Sequence, residues 1–337
     1  MIPERQLPNQ QIVSEWVLKI IAACRLLLGS YMNITESKPI CYFMKLYCIC
    51  FSAVVISNYF TEVYENHTFS VFYVFIVEYI CMSFLSLIYD YKLFLDFFTT
   101  IKTNDRIIGF ERMSLITHYT YMIIFVNSVM RFGITVAHGS TTTKSDLGHL
   151  CILLTFTALD LQYLTNIIIF ALLQNRMKCL RLFLASNSVP ICITARNNVA
   201  NSIRNVRKSL VYYNNLLDYL EGLGQQIQSM HYTDLFLGTL TIGVVHSKVM
   251  IYSPALIVEV TIREVEKIKA ILTTQILRTS DECLRFELQT ALQYVRLRPF
   301  RYTLCRAVPL DINLLFTATA FCITYVIVAL QLNHFAE

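Results

Sequence analysis

The run from Phe43 to Tyr59, FMKLYCICFSAVVISNY, decides the class of fold, because its only charge is Lys45. Its length approaches the ~20 apolar residues that an α-helix needs to cross the hydrocarbon layer of a bilayer. Comparable runs recur along the chain. Of its 337 residues, 55% are hydrophobic and 15% charged, with a mean hydropathy of +0.51, against roughly a quarter charged in ordinary soluble domains. A soluble core cannot absorb that much apolar surface, so lipid is the expected solvent. The chain shows no alternating segments of ~10 residues, which argues against a barrel. The backbone must then satisfy its polar groups inside helices. The expected fold is all-α, a polytopic membrane protein of about seven transmembrane helices in a single domain, with helical extensions outside the bilayer.

Outward from this run, periodicity and length mark spans near 40–60, 69–89, 115–137, 147–173 and 310–332. A further span lies within Leu235 to Val258. The stretch from Ile12 to Leu28 is interrupted by Glu15, Lys19 and Arg25, so it reads as an interfacial or re-entrant helix anchored by Trp16. It carries no small-residue cleavage pattern. The eleven cysteines fall mostly inside apolar spans (Cys41, Cys48, Cys50, Cys81, Cys151, Cys322), where they act as small core hydrophobes.

Basic loops stay cytoplasmic, so Lys and Arg fix the orientation. The Asp90 to Ser114 loop holds Lys92, Lys102, Arg106 and Arg112, and the stretch after Leu173 holds Arg176, Lys178, Arg181, Arg196, Arg204, Arg207 and Lys208. The loops Thr61 to Thr68 and His138 to Asp146 carry only Lys144, so they are placed outside, and the first contains the sequon Asn66-His67-Thr68, making Asn66 a glycosylation candidate. The amino terminus is then cytoplasmic. The basic stretch Arg263 to Arg306 is also placed inside, so an even number of crossings must separate it from Lys208. Parity requires a hairpin within 210–260, formed either by an extra crossing that includes part of Leu210 to Thr233 or by two compressed helices within Met230 to Val260. It puts the carboxyl terminus outside the cell, in a multi-pass protein of the plasma membrane. Apolar positions between Val258 and Leu297 repeat at helical spacing among charges, which predicts helices continuing out of the membrane. With Leu210 to Gln228 they form an intracellular bundle that breaks at Arg298-Pro299-Phe300.

From Pro309 the chain reads PLDINLLFTATAFCITYVIVALQL. This closing helix resembles the signature of the insect gustatory receptors, Thr-Tyr, five apolar residues, then Gln-Phe. Thr324, Tyr325 and Gln331 match in spacing, and Leu332 replaces the final Phe. Asp281-Glu282, Glu287-Leu288-Gln289 and Pro309-Leu310-Asp311 resemble the family's lead into its last span. The resemblance implies a ligand-gated, non-selective cation channel that detects small organic tastants. It implies a homo- or heterotetramer with the same or related receptors, a central pathway lined by the last helix of each subunit, and no cofactor. Helical phase puts Thr324, Ile327 or Val328, and Gln331 on one face. Four copies would give an uncharged pore ringed by Gln331 and narrowed by Leu332, a geometry that gates by dewetting. Pore and gate candidates are thus Thr324, Tyr325, Val328, Gln331 and Leu332. The alternative is that Thr324 bonds back to its own helix and Gln331 sits at the interface. Measured against the family, Leu210 to Val260 is short, as though part of the penultimate pair of spans were missing.

Charged and amide side chains within spans are costly and mark pathways or pockets. Glu78, Asn127, Arg131, Asp160, Gln162 and Tyr163 are the ligand-pocket candidates, with Asn166 near them. Glu78 and Arg131 lie at similar depth and can pair. Asp160 and Gln162 cannot face the same way. Tyr73, Tyr79, Tyr119 and Tyr121 add aromatic walls suited to amphipathic ligands, and the lack of a dense carboxylate and amide cluster favours bitter compounds over sugars. A G-protein-coupled receptor would need the opposite charge asymmetry. A secondary transporter would show repeated halves and paired interruptions. An enzyme would show a His-Glu-x-x-His, paired Cys-x-x-Cys or phosphate-loop motif, and none is present. The net charge of +5 is placed in membrane-flanking loops and gives no reason to expect nucleic acid; tastant, lipid and sister subunits are the expected partners.

Overall fold

The computed structural model describes residues 9–32, 37–66, 71–88, 93–110, 118–141, 146–187, 196–240, 245–304 and 308–310, and within the closing helix 312–314, 316–317, 319–320, 323–324, 327–328 and 331. The helices are α1 (Asn9–Leu27), α2 (Lys38–Asn66), α3 (Val71–Ile88), α4 (Leu93–Ile108), α5 (His118–Thr141), α6 (Asp146–Ser186), α7 (Arg196–Leu240), α8 (Val245–Arg278) and α9 (Glu282–Leu297). Between α9 and the closing helix, β1 (Thr303–Leu304) pairs antiparallel with β2 (Val308–Pro309). Apart from this two-residue pairing, the described chain is helical, as its composition requires.

Two described helices, Lys38–Thr61 and Leu150–Ser186, are long and apolar enough to cross a bilayer, and Phe75–Ile88 is a shorter apolar helix. Their environments differ. On α2, Tyr42, Phe43, Leu46, Ile49 and Val54 all face outward. Holding such side chains in water would cost about 1.5–3 kcal/mol each, so this surface is built for lipid. On α6, every residue from Gln162 to Leu173 is buried. A helix that is apolar around its whole circumference belongs in the middle of a bundle. Accordingly α6 packs along α8 and also meets α1, α2, α3, α5 and α7.

The stretch Asp90 to Ser114 is not simply a connecting loop. Its α4 buries Phe97, Phe98, Ile101, Asn104 and Asp105 against α7. It ends at Gly109, whose φ of +89° turns the chain so that the N–H groups of Gly109 and Phe110 both donate to the Asp105 carbonyl, at 2.9 and 2.8 Å. The apolar stripe over 258–297 likewise conceals a break at 279–281. Asp281 caps α9 by accepting the Leu284 N–H at 2.8 Å, while Leu284, Leu288, Leu292 and Val295 continue the buried periodicity beyond it.

The end of α1 sits between α2 and α3, and its spare carbonyls are taken up by side chains. Tyr47 donates to the Leu27 carbonyl at 2.9 Å and Tyr79 to the Leu28 carbonyl at 3.1 Å. This is how a helix terminus survives where lipid supplies no hydrogen bonds. Gly29 then turns the chain at φ +82°, and a Cβ there would lie 2.8 Å from both Ser52 Oγ and the Tyr79 hydroxyl. Gly109, at φ +89°, has open space around it. Gly109→Ala is therefore expected to cost only the backbone penalty of about 1–2 kcal/mol, and Gly29→Ala distinctly more. Thermal unfolding of the two detergent-purified variants checks the order, and equal losses would contradict it.

Candidate functional site

The polar residues of the apolar helices converge on α6. Asp160 and Tyr163 stand three residues apart and reach different neighbours. Arg131 of α5 grips the Asp160 carboxylate with two nitrogens, Nη2 to Oδ1 at 2.6 Å and Nε to Oδ2. The side chains are 12% and 5% exposed. The Arg131 guanidinium also lies over the Phe156 ring, 5.1 Å from its centroid, and Phe75 of α3 meets that ring edge-on at 4.7 Å. Tyr163 turns to α3 and donates its hydroxyl to Glu78 Oε1. The expected Glu78 to Arg131 pairing is not formed, because each has a nearer partner on α6: a carboxylate for the guanidinium, a hydroxyl for the carboxylate.

Asn127, one helical turn before Arg131, is buried, as are Gln162 and Asn166. Asn127 Oδ1 and Asn166 Nδ2 find no hydrogen-bond partner among the described residues. A buried unsatisfied polar atom costs roughly 1–3 kcal/mol, so these two are the open handles of the region, one acceptor and one donor. Tyr79 serves the α1 terminus and Tyr121 is half-buried against the core; the side chains of Tyr73 and Tyr119 lie outside the described residues. Asn66 ends α2, while the rest of its sequon is outside them.

Along α6, seven residues beyond Tyr163, Phe170 meets Tyr302 edge-on, with centroids 5.0 Å apart. Tyr302 roots the closing helix, since its carbonyl accepts the Leu310 N–H at 2.9 Å across the β1/β2 pairing. The preceding turn is clamped to α7. Arg298 reaches Asp218 at 2.6 Å and Glu221 at 3.0 Å and bonds Asn214, while Tyr213 donates to the Arg298 carbonyl at 2.9 Å. In the closing helix, Thr324 Oγ1 donates to the Ala320 carbonyl at 2.9 Å, so its hydroxyl bonds its own helix. Thr324, Val328 and Gln331 are all exposed in the isolated protomer. Tyr325 and Leu332 lie outside the described residues.

Sequence reading missed a second buried cluster, beyond the apolar part of the bundle. Arg176 of α6 meets Asp105 of α4 at 2.7 Å, with the two side chains 0% and 3% exposed. Tyr212 of α7 donates to the other Asp105 oxygen at 2.7 Å. Burial pushes the Asp105 carboxyl up to about 6, with Arg176 and Tyr212 pulling the other way. Phe110 covers the cluster, edge-on to Tyr212 at 5.6 Å and to Phe183 at 5.8 Å. The available signal was a charge in a core register: Asp105 continues the stripe of Phe97 and Ile101 at four-residue steps.

No protein-family model matches the chain, and no curated protein does. Among solved structures, it is similar to the olfactory receptor OR5 of the insect Machilis hrabei, determined in complex with eugenol. The two share 13% identity at a TM-score of 0.60, over 96% of this chain and 100% of that one. At this identity the likeness speaks for architecture: the chain has the helical membrane fold of an insect olfactory receptor.

Proposed function

We propose that the chain is a subunit of a ligand-gated, non-selective cation channel of the insect chemoreceptor kind, gustatory in type, with a cytoplasmic amino terminus and the closing helix lining the pathway. The observation that carries this reading is the olfactory-receptor fold over 96% of the chain, together with a closing stretch that has the Thr324, Tyr325, Gln331 spacing of gustatory receptors. Assembly as a tetramer accounts for Leu277, Phe286 and Leu297, large apolar side chains exposed outside the lipid-facing helices. In this reading the two crossings that parity demands fall on the consecutive helices α7 and α8.

The ligand site is the region around Glu78, Asn127, Arg131, Asp160, Gln162 and Tyr163. Its charges are already answered, Arg131 by Asp160 and Glu78 by Tyr163. The open atoms are Asn127 Oδ1 and Asn166 Nδ2. A neutral, largely apolar molecule with one or two hydrogen-bonding groups fits that inventory better than a polyol, whose many hydroxyls would stay unpaired. The OR5 structure holds such a molecule, eugenol. Bitter aromatics are accordingly favoured over sugars.

Expression in oocytes, with currents recorded over a panel of phenolic aromatics and sugars, tests the reading. Cation currents evoked by aromatics are expected, and Gln331→Ala is expected to change relative permeability or basal leak. Silence at confirmed surface expression, across the panel and with candidate partner receptors, would remove the channel reading.

A further inference from the structure

A basic groove lies toward the amino-terminal end of α7. Ala200, Ile203, Arg204, Arg207, Lys208 and Val211 recur at steps of three and four along one face of α7, and with Ile107 at the tip of α4 they wall an open groove of about 410 Å3. Three cations and no carboxylate line it among the described residues. The wider sequence is similarly biased, for no acidic residue occurs between Asp160 and Asp218 while Arg176, Lys178, Arg181, Arg196, Arg204, Arg207 and Lys208 all do. Carboxylates on other helices answer three of these, Asp105 for Arg176, Glu264 for Arg181 and Glu287 for Arg207. Arg204 and Lys208 have no carboxylate partner among the described residues. Their stems flank an apolar floor on which Ile107 and Val211 stay substantially exposed.

A membrane phosphate is too far away to be the anion. In the orientation proposed above, Glu221, exposed and bound to Arg298, lies on the cytosolic side of the bilayer. Arg204 lies 17 residues before it (221 − 204) on the unbroken α7, or ~26 Å farther along the axis at ~1.5 Å per residue. That is about three Debye lengths at physiological salt. With the orientation proposed above, the groove faces the cytosol.

We propose that this groove binds a soluble organic polyphosphate of the nucleoside triphosphate class, the phosphate chain across Arg204, Arg207 and Lys208 and the ring against Ile107, Ile203 and Val211. Guanidinium and ammonium groups supply the charge-assisted bonds that such a chain needs. Arg207 also holds Glu287 of α9, so a bound phosphate competes for it and loosens the tie between α7 and the helix that leads into the closing segment. The site thereby offers a cytosolic influence on gating.

The test is calorimetry on the purified full chain in phosphatidylcholine nanodiscs, with ATP and inorganic tripolyphosphate as probes. ATP is expected to bind more tightly than tripolyphosphate, and R204Q/K208Q to weaken ATP by about tenfold or more, with thermal unfolding in the absence of ATP unchanged. Absence of ATP binding, an equal or tighter hold on tripolyphosphate, or an ATP affinity indifferent to R204Q/K208Q would overturn the proposal. Displacement of ATP by phosphoinositide placed in the nanodisc would also overturn it, by showing that the groove faces lipid. No current is recorded, so the result stands whether or not the channel reading survives.

Discussion

Asp160→Ala is expected to deplete the protein from the cell surface and to abolish any ligand response in what remains. The substitution leaves the Arg131 guanidinium, 12% exposed, among apolar helices with its carboxylate gone. Removing one partner of a buried pair costs on the order of 3–5 kcal/mol, a large share of the ~5–15 kcal/mol by which a typical domain is stable. Lipid makes the loss harder to relieve, since an intramembrane charge without a partner must find water or another protein group. The paired substitution Arg131→Met with Asp160→Leu removes both charges and keeps comparable volume. It is expected to restore most surface expression without restoring the response, which separates folding from recognition. Surface biotinylation and thermal unfolding in detergent read the first effect, and currents read the second. Full expression of Asp160→Ala would mean that the pair is dispensable and that Arg131 reaches solvent.

Asp105→Ala is expected to be comparably damaging, at a place outside the proposed ligand region. Arg176 is completely enclosed and Asp105 is its carboxylate partner; Tyr212 would lose its acceptor as well. A loss of about 3–5 kcal/mol follows from the uncompensated charge alone. Asp105→Asn is expected to fall between, because the amide oxygen still accepts from Tyr212 while the ionic attraction is lost. The order wild type, Asn, Ala in unfolding temperature of the purified protein is the check. Because the cluster joins α4, α6 and α7, limited proteolysis should cut first near Gly109 in the weakened variants. An Ala variant as stable as wild type would show that the cluster is solvated.

The helices were legible because a span leaves a one-dimensional trace. Ile167 to Leu173 is apolar at every position, and a helix apolar on all sides can only be central. Which helix lies beside which leaves no such trace. Glu78 and Arg131 were matched by depth alone, whereas lateral packing gives each a partner on α6. Helix α4 escaped notice because half of its surface is polar and it lies within the basic Asp90 to Ser114 stretch, which reads as a loop. The break at 279–281 was hidden because the apolar period of α8 resumes almost in phase in α9. The Thr324 hydroxyl bonds the Ala320 carbonyl, so the polarity that drew attention to it is spent within its own helix. Gln331 is then the polar side chain left on the face it shares with Val328.

That face can be measured directly. Single cysteines at Thr324, Val328 and Gln331, with Val326→Cys placed on the opposite side by helical phase, would be exposed to a charged thiol reagent during ligand-evoked current. Progressive block is expected at Gln331, Val328 and Thr324, fastest at Gln331 from the outer side, and none at Val326. Block at Val326 alone, or equal insensitivity at all four positions in an active channel, would contradict a pathway lined by the closing helix.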